Sequence, residues 1–77
     1  MFKFISEFYN KLNITYPHLT ELDVKLAAMV VMNMSNKDIA ISRNITPGSV
    51  RIAKNRLKKK LNISEETDLT AHLKSIL

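Results

Sequence analysis

At 77 residues the chain is sized for one small domain, near the length at which a single apolar core becomes marginal. It has no cysteine, which excludes a disulfide framework and a thiolate zinc site, and its 45% apolar residues with one glycine and two prolines favour long helices on short connections. The formal charge of +5 is local: Arg43, Arg51, Lys54, Arg56, Lys58, Lys59 and Lys60 hold 7 of the 12 cations with no acid among them, while the remainder has 5 basic residues against 7 acidic ones.

The opening segment places Phe2, Ile5, Phe8, Tyr9 and Leu12 at three- and four-residue intervals. That spacing predicts an amphipathic helix ending before Tyr16-Pro17, because the residue ahead of a proline is driven out of the helical region. Ser6, Glu7, Asn10 and Lys11 interrupt the apolar character at once, so the segment is not a signal peptide. The longest apolar run, Leu26 to Met32, is far shorter than the about 20 residues a bilayer span requires. The chain is therefore read as cytoplasmic, with no membrane partner.

Thr20 and Asp23 form a capping-box pair, and Leu19 can staple onto Val24, so a helix is predicted to start at Thr20. Val24, Leu26, Ala27, Val30 and Val31 make it apolar nearly all round, as for a central element. Met29, Met32 and Met34 follow the same spacing and read as gap-fillers. Ser35-Asn36-Lys37-Asp38 repeats the capping pattern for a short helix ending near Arg43-Asn44, where Asn accepts the left-handed backbone of a sharp reversal. Thr46-Pro47 opens the next helix, predicted to run to about Leu61, with Thr as cap and Pro shaped for the first helical position. A last helix after Asn62-Ile63-Ser64 carries Leu69, Leu73, Ile76 and Leu77 on one stripe. The expected fold is all-α, a four- to five-helix bundle with an extra N-terminal helix.

Two short helices joined by a tight turn, the second one basic, describe a helix-turn-helix, whose second helix enters the DNA major groove. With about 100° per residue and Val50 as the core reference, Leu57 and Leu61 share its side and Ala53 its edge. Gly48, Ile52, Asn55 and Lys59 fall opposite, flanked by Arg51, Arg56 and Lys58. Gly48 lets the backbone approach a partner closely. The remaining cations and the exposed amides at helix starts suit phosphate: Ser35, Asn36, Lys37, Thr46, Ser49, Lys58 and Lys59 make up that set.

The blocks Leu19-Thr20, Ser35 to Ala40, Ile45 to Arg51 and Lys60 to Ile63 resemble, in order and spacing, the signature of LuxR-type DNA-binding domains over about positions 19 to 73. Phe8 to Pro17 and the run Ser49 to Leu61 further resemble the C-terminal module of large Bacteroidetes-type regulators. The resemblance implies a DNA-binding output domain of a longer transcriptional regulator, with a helical extension at 1–18 and the helix-turn-helix domain at 19–77. It also implies base contacts from Arg51, Ile52 and Asn55, which suit a guanine edge, a thymine methyl and an adenine edge. Arg43 stands where the family usually places an apolar residue and Ile41 where it places a polar one, so a shifted or frayed end is expected for that helix. Ala53 replaces a common His.

Leu69, Leu73 and Ile76 read either as core or as a homodimer seam. The alternative function is a sigma-factor region 4-like module that also engages a protein partner such as RNA polymerase. Catalysis has little support: His18 and His72 are isolated, and Glu65, Glu66 and Asp68 precede a helix start, where they favour its dipole. No catalytic residue, metal ligand or cofactor is assigned.

Overall fold

The computed structural model describes residues 2–76, with side chains from Ser6 onward. Five helices follow in order: α1 (Phe2–Thr15), α2 (Glu21–Val31), α3 (Asn36–Arg43), α4 (Pro47–Lys60) and α5 (Leu69–Lys74). Each of the last four starts on a residue that caps it. Thr20 accepts the Asp23 N–H at 3.2 Å while Asp23 accepts the Thr20 N–H at 2.9 Å, completing the predicted box. Ser35 accepts from Asp38, Thr46 from Ser49 and Asp68 from Thr70, at 3.0–3.1 Å.

The helix ends share a device that the sequence revealed at only one place. Asn33, Asn44 and Asn62 have φ of 61°, 57° and 59°, the left-handed region, just past the ends of α2, α3 and α4. The apolar residue after each Asn then donates its N–H five residues back: Met34 to Met29, Ile45 to Ala40, Ile63 to Lys58. This closure satisfies carbonyls that the helix leaves unpaired. It also corrects one expectation. The end of α3 is neither shifted nor frayed, because Asn44 caps it while Ile41 stays 71% exposed and the half-buried Arg43 donates to the Leu22 carbonyl.

α2 is the central element, in contact with α1, α4 and α5, while α3 packs on α4. The core joins Phe8 and Leu12 of α1, six residues of α2, Ile39 and Ala40 of α3, Val50 and Leu57 of α4, then Leu61, Leu69 and Leu73. Among the described residues no polar or charged side chain is buried. Dehydration of this apolar set drives the fold, at about 25 cal/mol per Å² of buried surface.

The last helix is shorter than its apolar stripe suggested. α5 ends at Lys74, Ile76 lies beyond it half-buried, and Leu77 is outside the described residues. Leu69 and Leu73 are 5% and 0% exposed within the single chain, which is the core reading of the two open for them. Their surface is already removed from water.

Candidate DNA-binding surface

Asn44, Ile45 and Thr46 form the connection between α3 and α4, so the two helices make the helix-turn-helix anticipated from the caps. α4 is held by its apolar side: Val50 and Leu57 are fully buried, and Leu61 nearly so. Across the helix Gly48, Arg51, Asn55, Arg56 and Lys59 are exposed, and Ile52 is 55% exposed. An isoleucine left half in water between Arg51 and Asn55 marks a surface with an apolar element amid charge.

The residues assigned to bases and phosphates differ in how free they are. Among the described residues Arg51, Asn55, Lys37 and Lys59 are exposed and have no hydrogen-bond or ion-pair partner. Thr46 and Ser49 are engaged with each other, since the Thr46 hydroxyl accepts the Ser49 N–H at 3.1 Å and donates to Ser49 Oγ at 3.0 Å. Ser35 caps α3. The half-buried Asn36 receives Lys54 Nζ at 2.5 Å, which ties the start of α3 to the middle of α4. Lys58 is half-buried, and its ammonium donates to the Glu65 carbonyl at 3.0 Å.

Lys54, read from the sequence only as one of the remaining cations suited to phosphate, has a wheel position beside Val50 and Leu57 that is an odd one for a lysine. Burial, reinforced by the charge of Lys58, lowers the pKa of its ammonium from the ordinary lysine value. The other end of α4 is pinned by the segment before α2. His18 Nε2 donates to the Lys60 carbonyl at 2.8 Å, and Lys60 Nζ lies 2.6 Å from Asp23 Oδ2. His72 Nε2 pairs with the Tyr16 hydroxyl at 3.2 Å, so both histidines, isolated in sequence, hold the α1–α2 connection onto the bundle. Among the described residues no helix is long and apolar enough to cross a membrane.

A capped α3, a three-residue turn and an α4 that is greasy inward and cationic outward define a helix-turn-helix domain. The chain belongs to the luxR family of bacterial regulatory proteins, whose family model matches residues 17–73. It is a DNA-binding domain of transcription regulation. Neither the curated proteins nor the solved structures hold a match to it.

Proposed function

We propose that the domain reads duplex DNA with α4 in the major groove, Arg51, Ile52 and Asn55 meeting base edges. Ser35, Asn36, Lys37, Thr46, Ser49, Lys58 and Lys59 then lie along the phosphates. The observation that carries this reading is the division of α4 into a buried Val50–Leu57–Leu61 side and an exposed side on which Arg51, Asn55 and Lys59 have no partner among the described residues. Arg is suited to guanine O6 and N7, Asn to adenine N6 and N7, and the Ile52 methyls to a thymine methyl.

Three further readings accompany it. The helix-turn-helix unit spans 19–77 with 1–18 as a helical extension, the unit serves as the output domain of a longer cytoplasmic regulator, and its target is double-stranded DNA without the added RNA polymerase contact of the alternative. The last choice rests on the same α4 face, whose free groups are donors matched to phosphates and base edges.

Selection of bound sequences from a random duplex pool tests the proposal. A recurrent motif that Arg51→Ala relaxes at one base pair is the expected result. Recovery of no motif, or a motif unchanged by substitution of Arg51, Ile52 and Asn55 together, would overturn it.

A further inference from the structure

One groove beside α4 has cations that no described carboxylate neutralises. It encloses about 350 Å³ and is lined by Arg51, Lys54 and Lys58 of α4, facing Asp68 and Thr70 at the start of α5. Among the described residues the ion pairs are Lys25–Glu21 and Lys60–Asp23, so none of these three cations has a carboxylate within pairing distance. The one acid lining the groove, Asp68, turns an oxygen to the Thr70 N–H at 3.0 Å to cap its own helix.

Lysines are flexible and normally extend their ammonium into water. Lys54 is held inward instead by Asn36, and Lys58 by the Glu65 carbonyl. Each ammonium has three N–H donors and uses one on those contacts, leaving the others unassigned. Two like charges, one of them partly desolvated, destabilise each other until an anion enters. The arrangement is therefore preorganised for a group that is anionic, accepts several hydrogen bonds and is absent from the protein.

We propose that this groove seats one backbone phosphate of the bound DNA, gripped by Lys54 and Lys58. The inference rests on the major-groove reading above and adds to it a phosphate contact by Lys54 and a path for one strand. A helix lying in the major groove has a sugar-phosphate backbone on each side. Arg51 and Asn55, assigned to base edges, also line this groove, so it is continuous with the reading surface. The Lys54–Asn36 bond sets the start of α3 beside it, which routes the strand between the starts of α3 and α5.

The test is the salt dependence of binding to a short random-sequence duplex, followed by fluorescence anisotropy over a series of potassium chloride concentrations. Each phosphate contact contributes about 0.9 to the slope of log affinity against log salt. Lys54→Gln/Lys58→Gln is expected to lower the slope by about one unit, the share of one phosphate, while Lys54→Arg keeps it. Should the double variant lose its helical circular dichroism, Lys54→Gln alone decides, with an expected drop of about half a unit.

An unchanged slope in a folded variant overturns the phosphate seat and leaves the major-groove reading standing. Failure of the unmodified chain to bind duplex at any salt overturns both. Pyrophosphate added without DNA is expected to move the amide NMR signals of Leu69 and Thr70 only weakly and without saturation. Saturable shifts that vanish in the double variant would instead assign the groove to a free phosphorylated ligand and overturn the proposal.

Discussion

Lys60 Nζ lies 2.6 Å from Asp23 Oδ2, so the last turn of α4 is fastened to the capping box that starts α2. Asp23 thereby serves two helices at once. Its side chain is only 16% exposed, which limits screening of the pair by solvent.

Acid should weaken the fold through this carboxylate. Burial alone pushes the Asp23 carboxyl up, but hydrogen bonds from the Lys60 ammonium and from Thr20, with the charge of Lys60, outweigh it and hold the group below the usual range. A carboxyl depressed on folding contributes stability that is present above the unfolded pKa, near 4, and lost as the pH falls through the folded one. Asp23→Asn is therefore expected to melt lower than the unmodified chain at neutral pH, and the two melting temperatures should converge as the pH falls through the folded value. Thermal unfolding followed by circular dichroism over that pH range checks it; a constant gap would refute the linkage.

Asn44 adopts φ 57°, a conformation that costs a residue with a Cβ about 1–2 kcal/mol unless it is Asn or Asp. Asn44→Ala should accordingly lower stability by about 1 kcal/mol, and Asn44→Gly should stay within a few tenths. Urea titrations of the two variants give the comparison. Equal losses would mean that the side chain, and not the backbone, matters at this turn.

Gly48 is the only glycine, and the fold does not require it. A Cβ built there meets nothing closer than Thr46 Oγ1 at 3.9 Å, and its backbone is helical. Gly48→Ala should therefore stabilise the free domain by up to about 1 kcal/mol through helix propensity. On the proposed major-groove reading the same change should weaken DNA binding, because the bare backbone at the start of α4 would be where a duplex approaches closely. Melting temperature and duplex affinity should move in opposite directions; affinity rising with stability would remove the close approach.

Truncations on α4 should separate by type. Lys59→Ala is expected to weaken binding to all duplexes alike and to lower the salt slope by about one unit. Arg51→Ala should cost about 1–3 kcal/mol on the selected site at one base pair and far less on random DNA. Equal effects of the two substitutions on both duplexes would defeat the division of labour.

Leu73 is fully buried beneath α5. Leu73→Ala should remove about 2–5 kcal/mol of stability. The loss should not depend on protein concentration, which a dimer contact would require. Chemical denaturation at two concentrations reads both quantities.

Much of this architecture is legible in the sequence because caps and periodicity are local codes. Thr20 with Asp23, Ser35, and Thr46 with Pro47 each announce a helix start within four residues, and the structure places them as caps. The burial of Val50, Leu57 and Leu61 follows from the helical repeat alone. What escaped is long-range. Lys54 with Asn36 and His18 with Lys60 are pairs separated by 18 and 42 residues, and only the packing of α3 and of the α1–α2 connection against α4 brings them together. The fraying anticipated from Arg43 and Ile41 failed because side-chain polarity says little about a turn that Asn44 closes through its backbone. The reach of α5 was overestimated because an apolar stripe can outlast the helix, as Ile76 does.

Lys60 is gripped twice by the stretch from His18 to Asp23, at its carbonyl and at its ammonium, so the tail of α4 has lost the freedom to unravel that helix ends ordinarily keep. That entropy is surrendered when the chain folds and is not demanded again when a duplex arrives. The clamped rod thus behaves as a ruler of fixed gradation. On the proposed major-groove reading, a sequence out of step with it meets mismatched groups instead of a yielding coil, and discrimination should sharpen without a single added contact.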